Sequence, residues 1–389
     1  MLGWRCPAPA DPADMAARVK TVLCVVGTRP EAIKMAPVVL ALRREPWARV
    51  RVVATAQHRL MLDQVLGLFA ITPDVDLDLM RPGQELADLT ARMLVAMDAT
   101  LRDERPDVVL AQGDTTTVLA TGLASFYRRI AFGHVEAGLR TGDPASPFPE
   151  EMNRTLASRL ARFHFAPTAA ARASLLREGI ADAAIHVTGN TVIDALLQVA
   201  ERDVPIGVTL DPAKRLILVT AHRRESFGAP LRAAFTALRT LADRNDGVQI
   251  LYPVHLNPSV SGPAQEILGG HPRIVLCAPL EYAPFVSAMK RAAFLVTDSG
   301  GVQEEAPALG KPVLVLRDAT ERPEAVAEGV VRLVGTSPER ILAEAQRLLD
   351  DPAAYAAMAR GISPYGDGHA AERIVRVLRD ALPAPPQTV

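Results

Sequence analysis

Residues 21–34 read TVLCVVGTRPEAIK. A near-continuous apolar, β-branched run ends at Gly27, and a helix-forming stretch follows at once. Apolar residues without alternation mark a strand covered on both faces, the condition of a strand inside a parallel sheet. Gly27 permits a tight turn, and Pro30 suits the start of a helix because its missing N–H costs nothing there. One strand, one turn and one helix start therefore lie within fourteen residues.

The same unit recurs down the chain. Apolar runs stand at 50–56 (VRVVATA), 107–113 (DVVLAQG), 130–136 (IAFGHVE), 163–167 (FHFAP) and 185–189 (IHVTG). They resume at 215–222 (RLILVTAH), 248–255 (VQILYPVH), 273–279 (RIVLCAP), 293–300 (AFLVTDSG) and 312–318 (PVLVLRD). Helical stretches at 88–104, 151–161, 191–202 and 229–245 supply crossovers. Strands alternating with helices predict an α/β fold. A single core stops growing at about 250–300 residues, so 389 residues predict two domains. The segment 201–214 (ERDVPIGVTLDPAK) is loop-like and places a boundary between roughly 190 and 212. The expected layout is a disordered extension at 1–18, an N-terminal Rossmann-like domain over 19–190, and a C-terminal one over 191–365. Both would be doubly wound parallel sheets facing a central cleft.

Composition narrows the partners. There are 43 basic and 44 acidic residues, a net charge of −1, so no global field attracts nucleic acid or an anionic membrane. An anionic ligand must meet a local cluster of cations. No apolar run of about 18 residues exists to span a bilayer. Residues 1–18 lack the apolar core of a signal peptide. The three cysteines, Cys6, Cys24 and Cys277, form no zinc or disulfide pattern, and Cys24 and Cys277 sit in strand-like runs where a buried, inert thiol is expected. This fits a cytoplasmic protein.

In a doubly wound sheet, ligands bind past the carboxyl ends of the strands. Those positions carry the polar residues. Arg29 and Lys34 stand by the first helix start, where free N–H groups favour anions. Gly113 is followed by Asp114 and three threonines; capping by Asp114 would explain one of these residues, not four. Glu136 ends the fourth run, and Glu150 opens the next helix beyond an irregular Pro-containing loop. Two carboxylates flanking one loop suit acid/base work. In the second half, His222 leads Arg223 and Arg224, a phosphate grip. Leu280, Tyr282 and Phe285 follow the third run of that half, where an aromatic in a loop could flank a flat base; composition allows core packing of Phe285 equally. Ser299, Gly300 and Gly301 open a helix as a phosphate cradle. Glu305 is placed for ribose hydroxyls, and Arg322 adds a cation. Carboxylates on one domain and a diphosphate cradle on the other fit a nucleoside-diphosphate sugar.

Ten motifs in order carry a family resemblance: VVGTRPEAIKMAPV, TAQHRLML, QGDTTT, HVEAGLRTGD, PFPEEMNR, TAHRRESFG, PVHLNP, TDSGGVQEEAPALGKPVL, TERPEAV and PYGDG. Over about residues 20–380 the chain resembles the non-hydrolysing UDP-N-acetylglucosamine 2-epimerases. The resemblance implies a glycosyltransferase-B fold, with a crossing helix at about 366–384 returning to the first domain. It implies interconversion of UDP-GlcNAc and UDP-ManNAc by elimination of UDP to 2-acetamidoglucal and re-addition, with no metal and no cofactor. Asp114, Glu136 and Glu150 match the family's catalytic carboxylates, with Glu136 and Asp114 the leading candidates for the base. His222, Arg29, Ser299, Gly300 and Gly301 match phosphate-binding positions, and Lys34 and Arg322 further binding positions. Leu280 and Phe285 match the uracil site and Glu305 the ribose site. Gln57 and His58 match a region where many bacterial members bind a second UDP-GlcNAc as activator. Leu60 stands there for a common polar residue, and Gly83 for an arginine of some members, which counts against activation. A homodimer and a role in envelope polysaccharide synthesis follow from the family alone. The alternatives are a hydrolysing 2-epimerase and a glycosyltransferase of the same fold; the dense carboxylate set argues against the transferase.

Overall fold

The structure is a computed structural model and describes residues 19–55, 59–81 and 83–382. Residues 1–18 with Cys6, the expected activator residues Gln57 and His58, and the side chain of Leu60 lie outside the described residues.

Two compact units are present. The first spans the described residues through Asp194 and takes back the chain from Gly368. Its elements run β1 Lys20–Val26, α1 Arg29–Arg43, β2 Ala48–Ala54, α2 Arg59–Leu68, β3 Val75–Asp76, α3 Leu86–Glu104 and β4 Val108–Gln112. They continue α4 Thr116–Arg128, β5 Ala131–Val135, α5 Glu150–Leu160, β6 Phe163–Ala166, α6 Ala169–Arg177 and β7 Ile185–Val187, and α7 Thr191–Ala200 runs across the boundary between the units at Asp194. The strands form one parallel sheet in the order β3-β2-β1-β4-β5-β6-β7. The order reverses between β1 and β4, whose neighbours in register include Val25 and Ala111. The turn after β1 and the turn after β4 therefore emerge side by side, at the switch point where such sheets bind ligands.

The second unit, Ala195–Asp367, repeats the plan. Its elements are β8 Arg215–Thr220, α8 Ala229–Arg244, β9 Val248–Pro253, α9 Pro258–Leu268, β10 Ile274–Cys277, α10 Tyr282–Arg291 and β11 Phe294–Thr297. Then come α11 Gly300–Ala308, β12 Val313–Val315, α12 Pro323–Ala327, β13 Val331–Leu333, α13 Pro338–Asp350 and α14 Pro352–Met358. The parallel sheet has the order β10-β9-β8-β11-β12-β13, with its switch point between β8 and β11. Thr220 and Thr297 are in register there and their hydroxyls meet at 2.5 Å. The final helix, α15 Ala370–Ala381, belongs to the first unit. It packs on α1, and its free N-terminal amides from Ala370 and Ala371 donate to the Asp194 carboxylate at 3.2 and 2.8 Å.

The cores explain why the strand ends are rigid. In the first unit Leu23, Val25, Val109 and Phe132 are fully buried against Met93, Met97 and Leu101 of α3. Gly133 sits so tightly that a Cβ would come 2.6 Å from Leu110 and 3.1 Å from Phe165. In the second unit Phe235, Tyr252 and Phe294 are buried in one cluster. Each such side chain contributes about 1.5–3 kcal/mol by leaving water. Tyr252 also donates its hydroxyl to the Ala221 carbonyl at 2.7 Å, which fixes the residue before His222. Cys24 is fully buried and burial pushes its thiol up to about 12; Cys277 is partly buried and burial raises its thiol too. Both thiols are held in the unreactive protonated form.

No helix among the described residues is long and apolar enough to cross a membrane. The short edge strands β3 and β13 have no counterpart among the sequence-predicted runs.

Candidate active site

In the first unit, the three carboxylates singled out from the sequence come together with Lys34. Glu136 follows β5 and is nearly buried. Its Oε1 accepts from Lys34 Nζ at 2.7 Å and from Asn190 Nδ2 at 2.9 Å. Its Oε2 accepts from Lys34 Nζ at 2.8 Å and from Gln112 Nε2. A carboxylate has about four lone-pair sites, and these four bonds fill them. Glu136 also has φ +66°, the left-handed region that a branched or long side chain avoids. Such strain of about 1–3 kcal/mol survives only where the surroundings over-determine it, and it concentrates at functional sites. Here four hydrogen bonds hold the side chain in place.

Asp114 is set differently. It is partly exposed, and among the described residues its carboxylate partner is the Arg154 guanidinium at 2.8 Å from Oδ2. Burial raises its pKa, Glu136 and Glu150 add to the rise, and Arg154 and Lys34 oppose it. Arg154 is itself buried and lies 3.5 Å from Glu151, whose Oε1 accepts from the amides of Thr141 and Gly142. Asn153 adds a bond from its amide to the Asp114 carbonyl at 2.9 Å. The start of α5 thus grips both the loop after β5 and the turn after β4. Asp114 is not the helix cap that the sequence allowed for. Thr115 is the N-cap of α4, and its hydroxyl turns away to Glu31 at 2.5 Å.

Gly113 has φ +85°, so its place in the turn requires glycine. Beneath it lies His134, fully buried, with Nε2 2.7 Å from the Gly113 carbonyl. That carbonyl can only accept, so Nε2 carries the proton. Nδ1 is then a bare acceptor with no partner among the described residues. Burial lowers this imidazole to about 4, with the nearby His164 and Arg140 adding to the drop.

The second unit gathers cations around the start of α11. Ser299 is the N-cap and makes no side-chain capping bond, so the first amides of the helix keep their anion-seeking N–H groups. A Cβ on Gly300 would lie 3.7 Å from the Arg223 guanidinium and 3.8 Å from that of Arg322. Both arginines therefore flank the place where the backbone is barest. Arg322 caps α12 and is braced by the buried Glu304. His222 is partly exposed, stacks on His255 with ring centroids 5.6 Å apart, and lies 3.5 Å from Asp298 through Nδ1. Asp298 is 1% exposed; its Oδ2 accepts from the amides of His222 and Arg223 at 2.6 and 2.7 Å. Burial lowers the His222 pKa, Asp298 and Glu225 pull it up, and His255 and Arg223 push it down.

Of the expected base-binding group, Leu280 and Phe285 are half-buried. Tyr282 and Phe285 lie on α10, not in a loop, and Tyr282 is buried with its hydroxyl donated to Glu305 at 2.8 Å. Tyr282 therefore orients Glu305. Arg29 opens α1 at the β1 turn, and Glu150 is the first residue of α5.

Sequence reading passed over Gln112, Asn190, Glu151, Arg154 and Asp298 as site residues. Gln112, Asn190, Glu151 and Asp298 stand within two residues of a strand end or a helix start, and the rule that found Asp114 would have found them. Arg154 is a full turn inside its helix, and only its reach back to Asp114 reveals it.

Two doubly wound sheets, one with a carboxylate cluster at its switch point and the other with a cationic helix start, define a two-domain enzyme of the nucleotide-sugar class. The family model described as UDP-N-acetylglucosamine 2-epimerase matches residues 40–379, and the chain belongs to that family. It is similar to the UDP-N-acetylglucosamine 2-epimerase of Escherichia coli (strain K12), 55% identical over 369 residues, 92% of this chain and 98% of that one. Its fold is similar to the crystal structure of UDP-GlcNAc 2-epimerase from Neisseria meningitidis bound to UDP-GlcNAc. That likeness has a TM-score of 0.85 at 46% identity and covers 92% of this chain and all of that one. An S. aureus protein solved with UDP aligns with a TM-score of 0.84 at 46% identity, over 93% of this chain and 97% of that one.

Proposed function

We propose that the protein interconverts UDP-N-acetylglucosamine and UDP-N-acetylmannosamine by inversion at C2, through loss and re-addition of UDP. The family supports the substrate. The observation that carries the mechanism is the contrast between two neighbouring carboxylates. Glu136 has its lone pairs filled, whereas Asp114 is partly exposed and its proton affinity is raised.

The C2 proton is only weakly acidic, so its removal must accompany departure of a stabilised anion. Asp114 accepts that proton. The C2–H electron pair becomes the C1–C2 double bond of 2-acetamidoglucal, the C1–O bond breaks, and its electrons leave on the diphosphate of UDP. Ser299, Gly300 and Gly301, with Arg223, Arg322 and His222, receive the charge on the diphosphate. Arg29 adds a further cation for the diphosphate, and Glu305 takes the ribose hydroxyls. Leu280 and Phe285 receive the uracil. In the return step UDP oxygen re-forms the C1–O bond and a proton reaches C2 from the opposite face. Glu150, close enough to raise Asp114, is the second proton carrier. Glu136 keeps Lys34 charged and in place.

The protein works as a homodimer. Val95 on α3 and Phe126 and Tyr127 on α4 are 71%, 61% and 62% exposed, an apolar surface that supports a partner copy. Its product serves envelope polysaccharide synthesis.

Incubation with UDP-GlcNAc in heavy water tests the reaction. Deuterium at C2 with UDP-ManNAc formed supports it; free ManNAc would show hydrolysis; no C2 exchange would sink it.

A further inference from the structure

Glu31 lies in the motif GTRPEAIK but has no part in the roles above. Its side chain is 2% exposed. Oε2 accepts from the amides of Gly27 at 2.5 Å and Thr28 at 3.0 Å, and Oε1 accepts from the Thr115 hydroxyl at 2.5 Å. A capping box explains the Thr28 bond alone. The Gly27 amide lies before the cap, and Thr115 belongs to the turn after β4, next to Asp114. Burying a carboxylate is costly unless it is fully bonded, and capping does not require it. The packing is also closed: a Cβ on Gly27 would meet the Thr117 and Thr55 hydroxyls at 2.3 and 2.6 Å. Asp114 is the charged group facing Glu31. Asp114 is in turn faced by Arg154, Lys34, Glu136 and Glu150.

We propose that Glu31 is a positioning residue for proton transfer: it fastens the Gly27–Thr28 turn to Thr115, beside Asp114, and its charge modulates how readily Asp114 takes a proton. This rests on the reading that Asp114 moves the C2 proton. Ionised, Glu31 accepts from Thr115 and its negative charge makes Asp114 a stronger base. Protonated, it donates Oε1–H to the Thr115 oxygen, the Thr115 O–H stays intact and turns to another acceptor, and the share of the repulsion on Asp114 that comes from Glu31 is removed while Glu136 and Glu150 remain. One O–H bond is gained, on Glu31, and its proton comes from solvent. Burial raises Glu31 to about 7, with Asp114 adding to the rise, which puts the change of state within the neutral range.

Glu31→Gln is the decisive variant. Its amide oxygen still accepts from Gly27 and Thr28, while its N–H donates to Thr115, so it holds the protonated pattern at every pH. The wild type is expected to gain kcat as pH rises through about 7. Glu31→Gln should have kcat several-fold lower at pH 8.5, a KM within about twofold, and no rise between pH 6 and 8.5. Thr115→Val should cost kcat, and the double variant should be no worse than its more impaired parent, since coupled residues are not additive. A Glu31→Gln enzyme with wild-type kcat and an unchanged neutral limb would overturn the proposal, as would additive losses in the double variant. Asp114→Asn tests the underlying reading by itself: retained C2 deuterium exchange there removes Asp114 as the base, whatever Glu31→Gln does. Circular dichroism on each variant confirms folding.

Discussion

Glu31 and His134 are both buried, both ionisable, and displaced in opposite directions. Glu31 is raised from 4.5 to about 7, and His134 is lowered from 6.5 to about 4. A raised carboxyl stabilises the fold below its unfolded pKa, and that stability is lost as pH rises through about 7. A lowered histidine stabilises the fold above 6.5, and that stability is lost as pH falls towards 4. Each displacement is worth roughly 3 kcal/mol over its full window. Between pH 4.5 and 6.5 the two slopes oppose one another, so neither shows in the wild type. Glu31→Gln should gain roughly 2–3 kcal/mol relative to wild type over that interval, and His134→Gln should lose a similar amount. Urea unfolding at pH 4.5, 5.5 and 6.5 measures both. Differences that stay constant with pH would show that these groups do not carry the protons assigned to them. Sequence could not have supplied this. Glu31 reads as an ordinary capping residue, and its burial is set by Thr115, which is 84 positions away in the chain.

At the scale of elements, α11 and α15 make separate claims. A methyl on Gly300 meets only ordinary contacts, at 3.7 Å or beyond, so Gly300→Ala should fold normally. It would nonetheless occupy the space beside the Arg223 and Arg322 guanidinia, where the proposed function puts the diphosphate. UDP affinity should fall about tenfold or more, a loss of about 1.4 kcal/mol, with the melting temperature unchanged; calorimetric titration with UDP reads it. Unchanged affinity would place the diphosphate elsewhere. For α15, the cap is supplied from outside the helix. Its own N-cap, His369, makes no capping bond, and Asp194 accepts from Ala370 and Ala371 instead. Asp194→Ala should cost about 1–2 kcal/mol in chemical unfolding. A loss below about 0.3 kcal/mol would mean water replaces the carboxylate.

The long strands were legible because strands buried on both faces read as unbroken apolar runs, as in TVLCVVG and RLILVTAH. The edge strands β3 and β13, of two and three residues, were not. They pair on one side only and carry too few residues for any pattern. The helical start at Tyr282 was also missed, because Pro279, Tyr282 and Pro284 read as loop.

At the scale of the molecule, the two units carry opposite chemistry while the net charge is only −1. That balance bears on how the proposed UDP-sugar substrate would be held. With no global field, recognition must come from short-range groups, and these are divided by unit: carboxylates with Lys34 in the first, arginines and His222 at a helix start in the second. The positions were legible because both units place their polar residues past parallel strands. Their partners were not, because Asn190 reaching Glu136 and Asp298 reaching His222 are products of topology. The division predicts separable defects. On the proposed function, His222→Ala removes a donor to the diphosphate, so UDP affinity should fall by about tenfold, or about 1.4 kcal/mol. Glu136→Ala removes the carboxylate that bonds Lys34 and should abolish C2 exchange while leaving UDP affinity within about twofold. Breaking a buried pair also costs about 3–5 kcal/mol of stability, so Glu136→Ala must be checked for folding first, with Glu136→Gln as the milder variant. Titration of UDP into each folded variant gives affinity, and heavy-water exchange gives chemistry. Equal losses of UDP affinity in His222→Ala and both Glu136 variants would show that binding and proton transfer are not divided between the units.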